Sequence, residues 1–323
     1  MRIYSVAFLG FGVVGSKVYE ILQENHETWM DKYGIDVQVR KVLVHNKKKP
    51  RSVLIDSKYL TENIDDLVYD PQIQICFECM GGNGVLLTKS YILQLLKNGK
   101  DIIMASKKCL SLYRNEILSV ANTYRRTIHF EATVGGGIPI IQSIQNSSYG
   151  EQIHKVYGIL NATSNYILSK MTSDNMSYQM ALELAKKAGY TENNSTEDVD
   201  GLDAAYKLTL LVQETMGRSI SINQVRRVSI RSITPDMIME AKKCHEVFKQ
   251  IASASLESNG ELKISVEPKR ISEDSILNCV NDTYNIICTE GTRSGLRAFY
   301  GQGAGDNPTA TVMIDDLLSI IQK

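Results

Sequence analysis

The sequence predicts an α/β chain: a doubly wound parallel sheet followed by a second, α+β domain. Three observations carry this. Short apolar strand-like runs alternate with helical patterns through the first half, as parallel sheets with helices on both faces require. The first strand ends in a glycine-rich turn that opens a helix. After about Ser147 the alternation gives way to longer helices and shorter, turn-separated strands.

A chain of 323 residues exceeds what one core usually serves, so two domains are expected. These are 1–147 for the first and 148–305 for the second, with a final helix, 306–323, packing back on the first. The 36 basic and 36 acidic residues balance, which gives no reason to expect nucleic acid or an anionic membrane as partner. No apolar run reaches the ~18 residues of a membrane span. The N-terminus, MRIYSVAFLG, enters a strand pattern at once without a signal-peptide architecture, so a cytoplasmic location is expected. Cys76 and Cys79 form a C-x-x-C, which invites a redox or zinc reading. No second such pair follows, and alternation would send the two sulfurs to opposite faces of a strand. Small buried apolar residues are the favoured reading.

Ile3 to Leu9 is the first strand. It ends in Gly10, Phe11, Gly12, Val13, Val14 and Gly15, and a helix follows. Strand, G-x-G-x-x-G, helix is the Rossmann-type dinucleotide-binding order. The glycines allow a tight turn, close approach of pyrophosphate, and close helix packing. The second strand, Val37 to Val44, ends in His45, Asn46, Lys47, Lys48, Lys49 and Arg51 rather than the acid that favours NAD. That leans toward NADP, with NAD possible; a solvated lysine loop is the rival reading. A helix around Ile64 to Val68 leads to the strand Ile73 to Met80, which ends in Gly81, Gly82, Asn83 and Gly84. A helix through Tyr91 to Leu96 precedes the strand Asp101 to Ala105, with Ser106 and Lys107 at its carboxyl end. A helix around Ile117 to Tyr124 leads to the strand Thr127 to Val134, then Gly135, Gly136 and Gly137. Ligands bind at the carboxyl ends of such strands, where these turns fall.

In the second domain a strand is expected over Lys155 to Asn161, and helices begin at Asn165 and Ser177. A helix is expected over Pro235 to Ser253, with strands at Leu262 to Val266, Asp282 to Thr289 and Gly295 to Tyr300. Gly301 to Gly305 then opens the last helix. The stretch Ala188 to Leu211 reads as a polar loop feeding a helix. Asp200, Asp203 and Lys207 are spaced to share its polar side, with Glu192 and Asp198 just upstream. Alone, that is an acidic turn with an ordinary i,i+4 ion pair, worth roughly 0.2–0.5 kcal/mol.

Several stretches together resemble the homoserine dehydrogenases over almost the whole chain. They are GFGVVG, FECMGG, MASKKCL, FEATVGGGIPII, GILNATSNYIL, the acid-rich stretch ending GLDAAYKL, and GQGAG. The resemblance implies NAD(P)H-dependent reduction of L-aspartate 4-semialdehyde to L-homoserine, on the route to threonine, methionine and isoleucine. It implies Lys207 as the general acid, Asp203 orienting it or the substrate, and Lys107 near cofactor and substrate. It implies Glu192 and Asp198 at the substrate ammonium, with Asn161 and Thr163 also in the substrate site. The cofactor site would take the GFGVVG loop, Gly81, Gly82, Ser106, Lys107 and Gly305. Glu131 with the carbonyls of Val134, Gly136 and Ile138 would form a structural sodium site. The second domain would bind substrate and make a homodimer. Kinase and ACT domains of longer relatives are not expected, nor threonine feedback through them. The chemistry asks for these types independently: alkoxide charge developing at an aldehyde calls for a lysine proton donor. Ser106 and Ala162 depart from the family pattern. They keep open a related oxidoreductase acting on another small aldehyde or amino acid. A cofactor-binding regulatory relative without catalysis is the other alternative, although both lysines and the carboxylates remain.

Overall fold

The structure, a computed structural model, describes residues 1–81, 84–147, 150–191 and 194–322. The chain forms two compact units, Met1–Thr133 with Gly305–Lys323, and Val134–Ala304.

The first unit contains β1 (Arg2–Leu9), α1 (Val13–Tyr33), β2 (Ile35–Leu43), β3 (Leu60–Thr61), α2 (Asp65–Val68), β4 (Ile75–Glu78), α3 (Val85–Lys97), β5 (Asp101–Met104), α4 (Lys107–Thr123) and β6 (Ile128–His129). It also holds the chain's last helix, α11 (Asp306–Ile321). The strands run in the order β3-β2-β1-β4-β5-β6, and every pairing is parallel. The order reverses between β1 and β4, which opens a crevice at their carboxyl ends. One core joins Val6, Phe8 and Phe77 of the sheet to Val18 and Leu22 of α1 and to Met313 and Leu317 of α11. Phe8 and Phe77 stack at 5.0 Å. Burying each such side chain contributes about 1.5–3 kcal/mol, so α11 belongs to this unit by packing despite its distance in sequence. The strand expected over 127–134 is shorter. Only Ile128 and His129 pair, and a 3₁₀ turn follows at Glu131–Thr133. The Glu131 N–H donates to Asp316 on α11 and so leaves the sheet ladder.

The second unit contains α5 (Ile140–Ser147), β7 (Ile153–Ile159), α6 (Ala162–Ser173), α7 (Tyr178–Lys187), α8 (Thr196–Val199), α9 (Leu202–Met216), β8 (Arg226–Arg227), α10 (Pro235–Lys243), β9 (Glu246–Leu256), β10 (Leu262–Ser272), β11 (Tyr284–Gly291) and β12 (Gly295–Gln302). Its sheet runs β12-β11-β7-β9-β10-β8. The division between units falls at 133 rather than 147, because α5 packs on α9 and Gln145 donates to Glu214 there.

Two local expectations change. The helix expected over 235–253 stops at Lys243, and β9 takes its second half. His245 turns the chain with φ +57°, and the following eleven residues pair along β10. Ladder bonds to β10 and β7 outweigh local helix propensity there. Asp203 and Lys207 share one side of α9, as expected, but that side is buried, as residues 203 to 212 all are. Asp200 leaves that group. Gly201, at φ +76°, separates α8 from α9, and Asp200 instead accepts from Ser229 Oγ and Arg231 Nε.

Candidate active site

In the first unit the glycine loop divides its labour. Gly10 has φ +92°, and a Cβ there would stand 2.6 Å from the Cys79 carbonyl oxygen. A Cβ on Gly15 would stand 2.7 Å from the Gly10 carbonyl oxygen, so this glycine lets α1 pack against the turn. A Cβ on Gly12 would meet nothing within 4 Å. Gly12 caps α1 without a side-chain hydrogen bond, and the first turn of α1 holds no acid. That leaves backbone N–H donors and the positive helix end facing open space, which suits a phosphate. Val13 is exposed there, whereas Phe11 turns into the core against Phe8 and Tyr19. Phe11 therefore offers the loop its backbone and the core its ring.

Beyond β2 the basic loop is shaped by Arg51, whose guanidinium donates to the carbonyls of Asn46, Lys47 and Lys49. Lys47, Lys48 and Lys49 remain exposed. An acid does reach this loop: Glu62 accepts the Lys47 N–H at 2.8 Å. The parallel pairing of β3 beside β2 brings it there from across a long connection, which strand-end reading could not see.

Beyond β4, Gly81 has φ +75°; Gly82 lies outside the described residues. Ser106 is buried at the N-cap of α4, and Lys107 is the half-buried first helical residue. No acid stands in that first turn, so Lys107 and Lys108 oppose the helix dipole at a cost of about 0.3–1 kcal/mol each. Gly305, with φ +127°, caps α11. Sequence reading missed Glu78, a fully buried acid whose carboxylate accepts the N–H groups of Met80 and Ser106. Burial raises its pKa against the pull of those backbone donors. The C-x-x-C beside it is inert. All cysteines are free, and burial pushes Cys76 up to about 12 and Cys79 well above its usual range.

In the second unit the expected site residues converge. Lys207 Nζ lies 2.9 Å from Asp203 Oδ2 and donates to the Leu160 carbonyl at 2.7 Å. Both residues are nearly buried, Lys207 at 7% exposure and Asp203 at 5%. A buried ion pair is seldom a net gain in stability, so its retention points to chemistry. Asn161 Nδ2 donates to Asp198 Oδ1 at 2.7 Å and to Asp203 Oδ2 at 2.9 Å. Its Oδ1 accepts from the Ser164 N–H and caps α6. Asn161 was expected at the substrate, yet both its amide hydrogens go to carboxylates. A signal was present in the sequence: an Asn directly before a helical run is an N-cap pattern. Thr163 Oγ1 donates to the Tyr190 carbonyl, tying α6 to the loop before α8. Thr191 Oγ1 donates to Asp198 Oδ2. Burial and then the charge of Asp203 raise the Asp198 pKa. Glu192 lies outside the described residues.

Of the residues expected to hold a cation, Glu131 is buried in the first unit and the other three open the second. Gly135 and Gly136 have φ of +78° and +63°. A Cβ on Gly136 would stand 2.6–2.7 Å from the backbone of Gln302 and Gly303, so tight backbone packing alone accounts for that glycine. The Ile138 carbonyl already accepts from Ile140 N–H. Among the described residues no group of three His, Cys, Asp or Glu could hold a metal, and no helix is long and apolar enough to cross a membrane.

Residues 139–318 match the homoserine dehydrogenase family model, and residues 10–131 match the homoserine dehydrogenase NAD-binding domain. The chain is 33% identical over 323 residues to homoserine dehydrogenase of Bacillus subtilis (strain 168), covering 100% of this chain and 74% of that protein. It is 37% identical over 319 residues to that of Synechocystis sp., covering 98% and 73%. A crystal structure of a homoserine dehydrogenase from Thiobacillus denitrificans superposes with TM-score 0.90 at 30% identity, covering 98% of this chain and 73% of that one.

Proposed function

The chain belongs to the homoserine dehydrogenase family, and from that premise we propose how its residues divide the work. It is an NAD(P)-dependent oxidoreductase that reduces L-aspartate 4-semialdehyde to L-homoserine. The observation that carries the assignment of roles is the buried Lys207–Asp203 pair, held to Asp198 through Asn161.

The nicotinamide cofactor, when bound, supplies the hydride. Lys207 Nζ gives a proton to the carbonyl oxygen as alkoxide charge develops. Asp203 and the Leu160 carbonyl aim that ammonium group. Asp198, whose hydrogen bonds among the described residues come from the Asn161 amide and Thr191 Oγ1, takes the substrate ammonium; Glu192, assigned the same task, lies outside the described residues. In the first unit the open Gly12 turn takes the pyrophosphate. Gly81, Ser106 and Gly305 border the cofactor, and Lys107 places a cation at the carboxyl end of β5. The exposed lysines after β2 favour NADP over NAD, since the Glu62 carboxylate is turned to a backbone N–H.

The enzyme works as a cytoplasmic homodimer in threonine, methionine and isoleucine formation. A sodium ion at Glu131, Val134, Gly136 and Ile138 rests on family resemblance alone. The test is oxidation of L-homoserine by purified protein, with NADP and then NAD, against similar hydroxy amino acids. No turnover with either cofactor would sink the function, and faster turnover with NAD would sink the cofactor assignment.

A further inference from the structure

Glu78 is the last residue of β4, is fully buried, and bonds no cation among the described residues. Its Oε1 accepts the Met80 N–H at 2.9 Å, and its Oε2 accepts the Ser106 N–H at 2.8 Å. Met80 opens the turn after β4, and Ser106 opens the turn after β5, the neighbouring strand. The backbone ladder between these strands ends with Ala105 N–H donating to the Glu78 carbonyl. The carboxylate therefore adds one more rung, made by a side chain, beyond the end of the sheet. One arm fixes the Cys79–Met80 turn, which lies against Gly10. The other fixes the N-cap of α4, one residue before Lys107.

Two converging N–H donors need two acceptors. A carboxylate offers two; an amide or a protonated acid offers one, and turns a donor toward the second N–H. Burying this charge is costly, and a clamp needed only for folding could be built from neutral groups.

We propose that Glu78 is a positioning residue for the nicotinamide cofactor: its ionised carboxylate clamps the turns after β4 and β5 in the binding arrangement, and protonation releases one arm. The proposal rests on the cofactor reading of the first unit. Burial raises the carboxyl pKa, so the release comes at a higher pH than for an ordinary glutamate.

The test is fluorescence titration of NADPH binding from neutral to mildly acid pH, in wild type and Glu78→Gln, with melting followed by circular dichroism. The variant should bind NADPH roughly tenfold more weakly at neutral pH, the loss of about one hydrogen bond. The gap should close as the pH falls, because the wild-type clamp opens while the amide does not titrate. Wild-type affinity and an unchanged pH profile in a folded Glu78→Gln would overturn the clamp. Should that variant fail to fold, Ser106→Pro removes one N–H at a φ of −76° that proline adopts. Carboxylate ionisation then loses a donor, and the acid loss of NADPH affinity should move to higher pH; an unmoved profile overturns the proposal. Wild-type protein that binds neither NADPH nor NADH would overturn the cofactor reading, and the clamp with it.

Discussion

Asn161 holds Asp198 and Asp203 on the two hydrogens of one amide, at 2.7 and 2.9 Å. This hydrogen-bonded bridge joins two carboxylates in unlike surroundings. Asp203 already has Lys207, at 2.9 Å, while among the described residues the hydrogen bonds to Asp198 come from neutral donors. In the proposed function the substrate ammonium supplies the second pair.

Lys207→Met should lower turnover by about 10²–10⁴-fold, the range of a lost general acid, and leave NADPH affinity unchanged. It also strands Asp203, which costs about 3–5 kcal/mol when a buried pair loses one partner. The double variant Lys207→Met with Asp203→Asn should recover most of the melting temperature and none of the turnover. Calorimetry with steady-state kinetics checks both; turnover near the wild-type rate in Lys207→Met would remove Lys207 from the mechanism.

Asp198 carries a raised pKa, from burial and then from the charge of Asp203. Substrate binding needs the ionised form, so kcat/KM for homoserine should fall on acidification through that raised pKa. In Asp198→Asn this acid limb should vanish, and KM should rise roughly tenfold to a hundredfold with the lost charge-assisted bond. The stability sign is opposite. The folded state binds the proton more readily than the unfolded, so this carboxyl lowers stability as the pH rises through its folded pKa. The variant should therefore melt no lower than wild type at neutral pH. A pH series of both quantities decides it.

Gly10 and Gly12 should respond differently to alanine. Gly10→Ala places a Cβ 2.6 Å from the Cys79 carbonyl oxygen at φ +92°, which should destabilise the fold by at least about 1–2 kcal/mol. Gly12→Ala meets no protein atom, so melting should be unchanged while NADPH affinity drops about tenfold or more by obstruction of the phosphate approach. Equal melting losses in the two variants would show that Gly12 is structural.

Lys249, outside this site, is buried and donates to the Val280 carbonyl and to Asn281 Oδ1. Burial pulls its pKa from 10.5 down to about 8. Between those values the unfolded chain binds the extra proton, so this group adds stability as the pH rises from about 8 to about 10.5. The ceiling is about 3 kcal/mol. In Lys249→Met that rise should be absent from melting curves taken across the same interval.

The sequence by itself determined the cofactor-binding half. Strand, glycine loop and helix are contiguous there, and a local pattern suffices to specify a local turn. It also marked Lys207, Asp203 and Asp198, because their spacing in one stretch survives folding. Two points were not legible there: that the polar side of α9 is buried, and that Asp200 turns away from the group. Only the tertiary structure decided those points, since burial depends on what the sheet lays against a helix. The same holds for β9, whose strand state comes from partners in β7 and β10 rather than from its own residues. Glu78, Asn161 and Glu62 act through groups that lie 28, 42 and 15 positions away in the chain. A hydrogen bond between distant segments has no local signature, so their tasks became legible only once the fold had set the partners side by side.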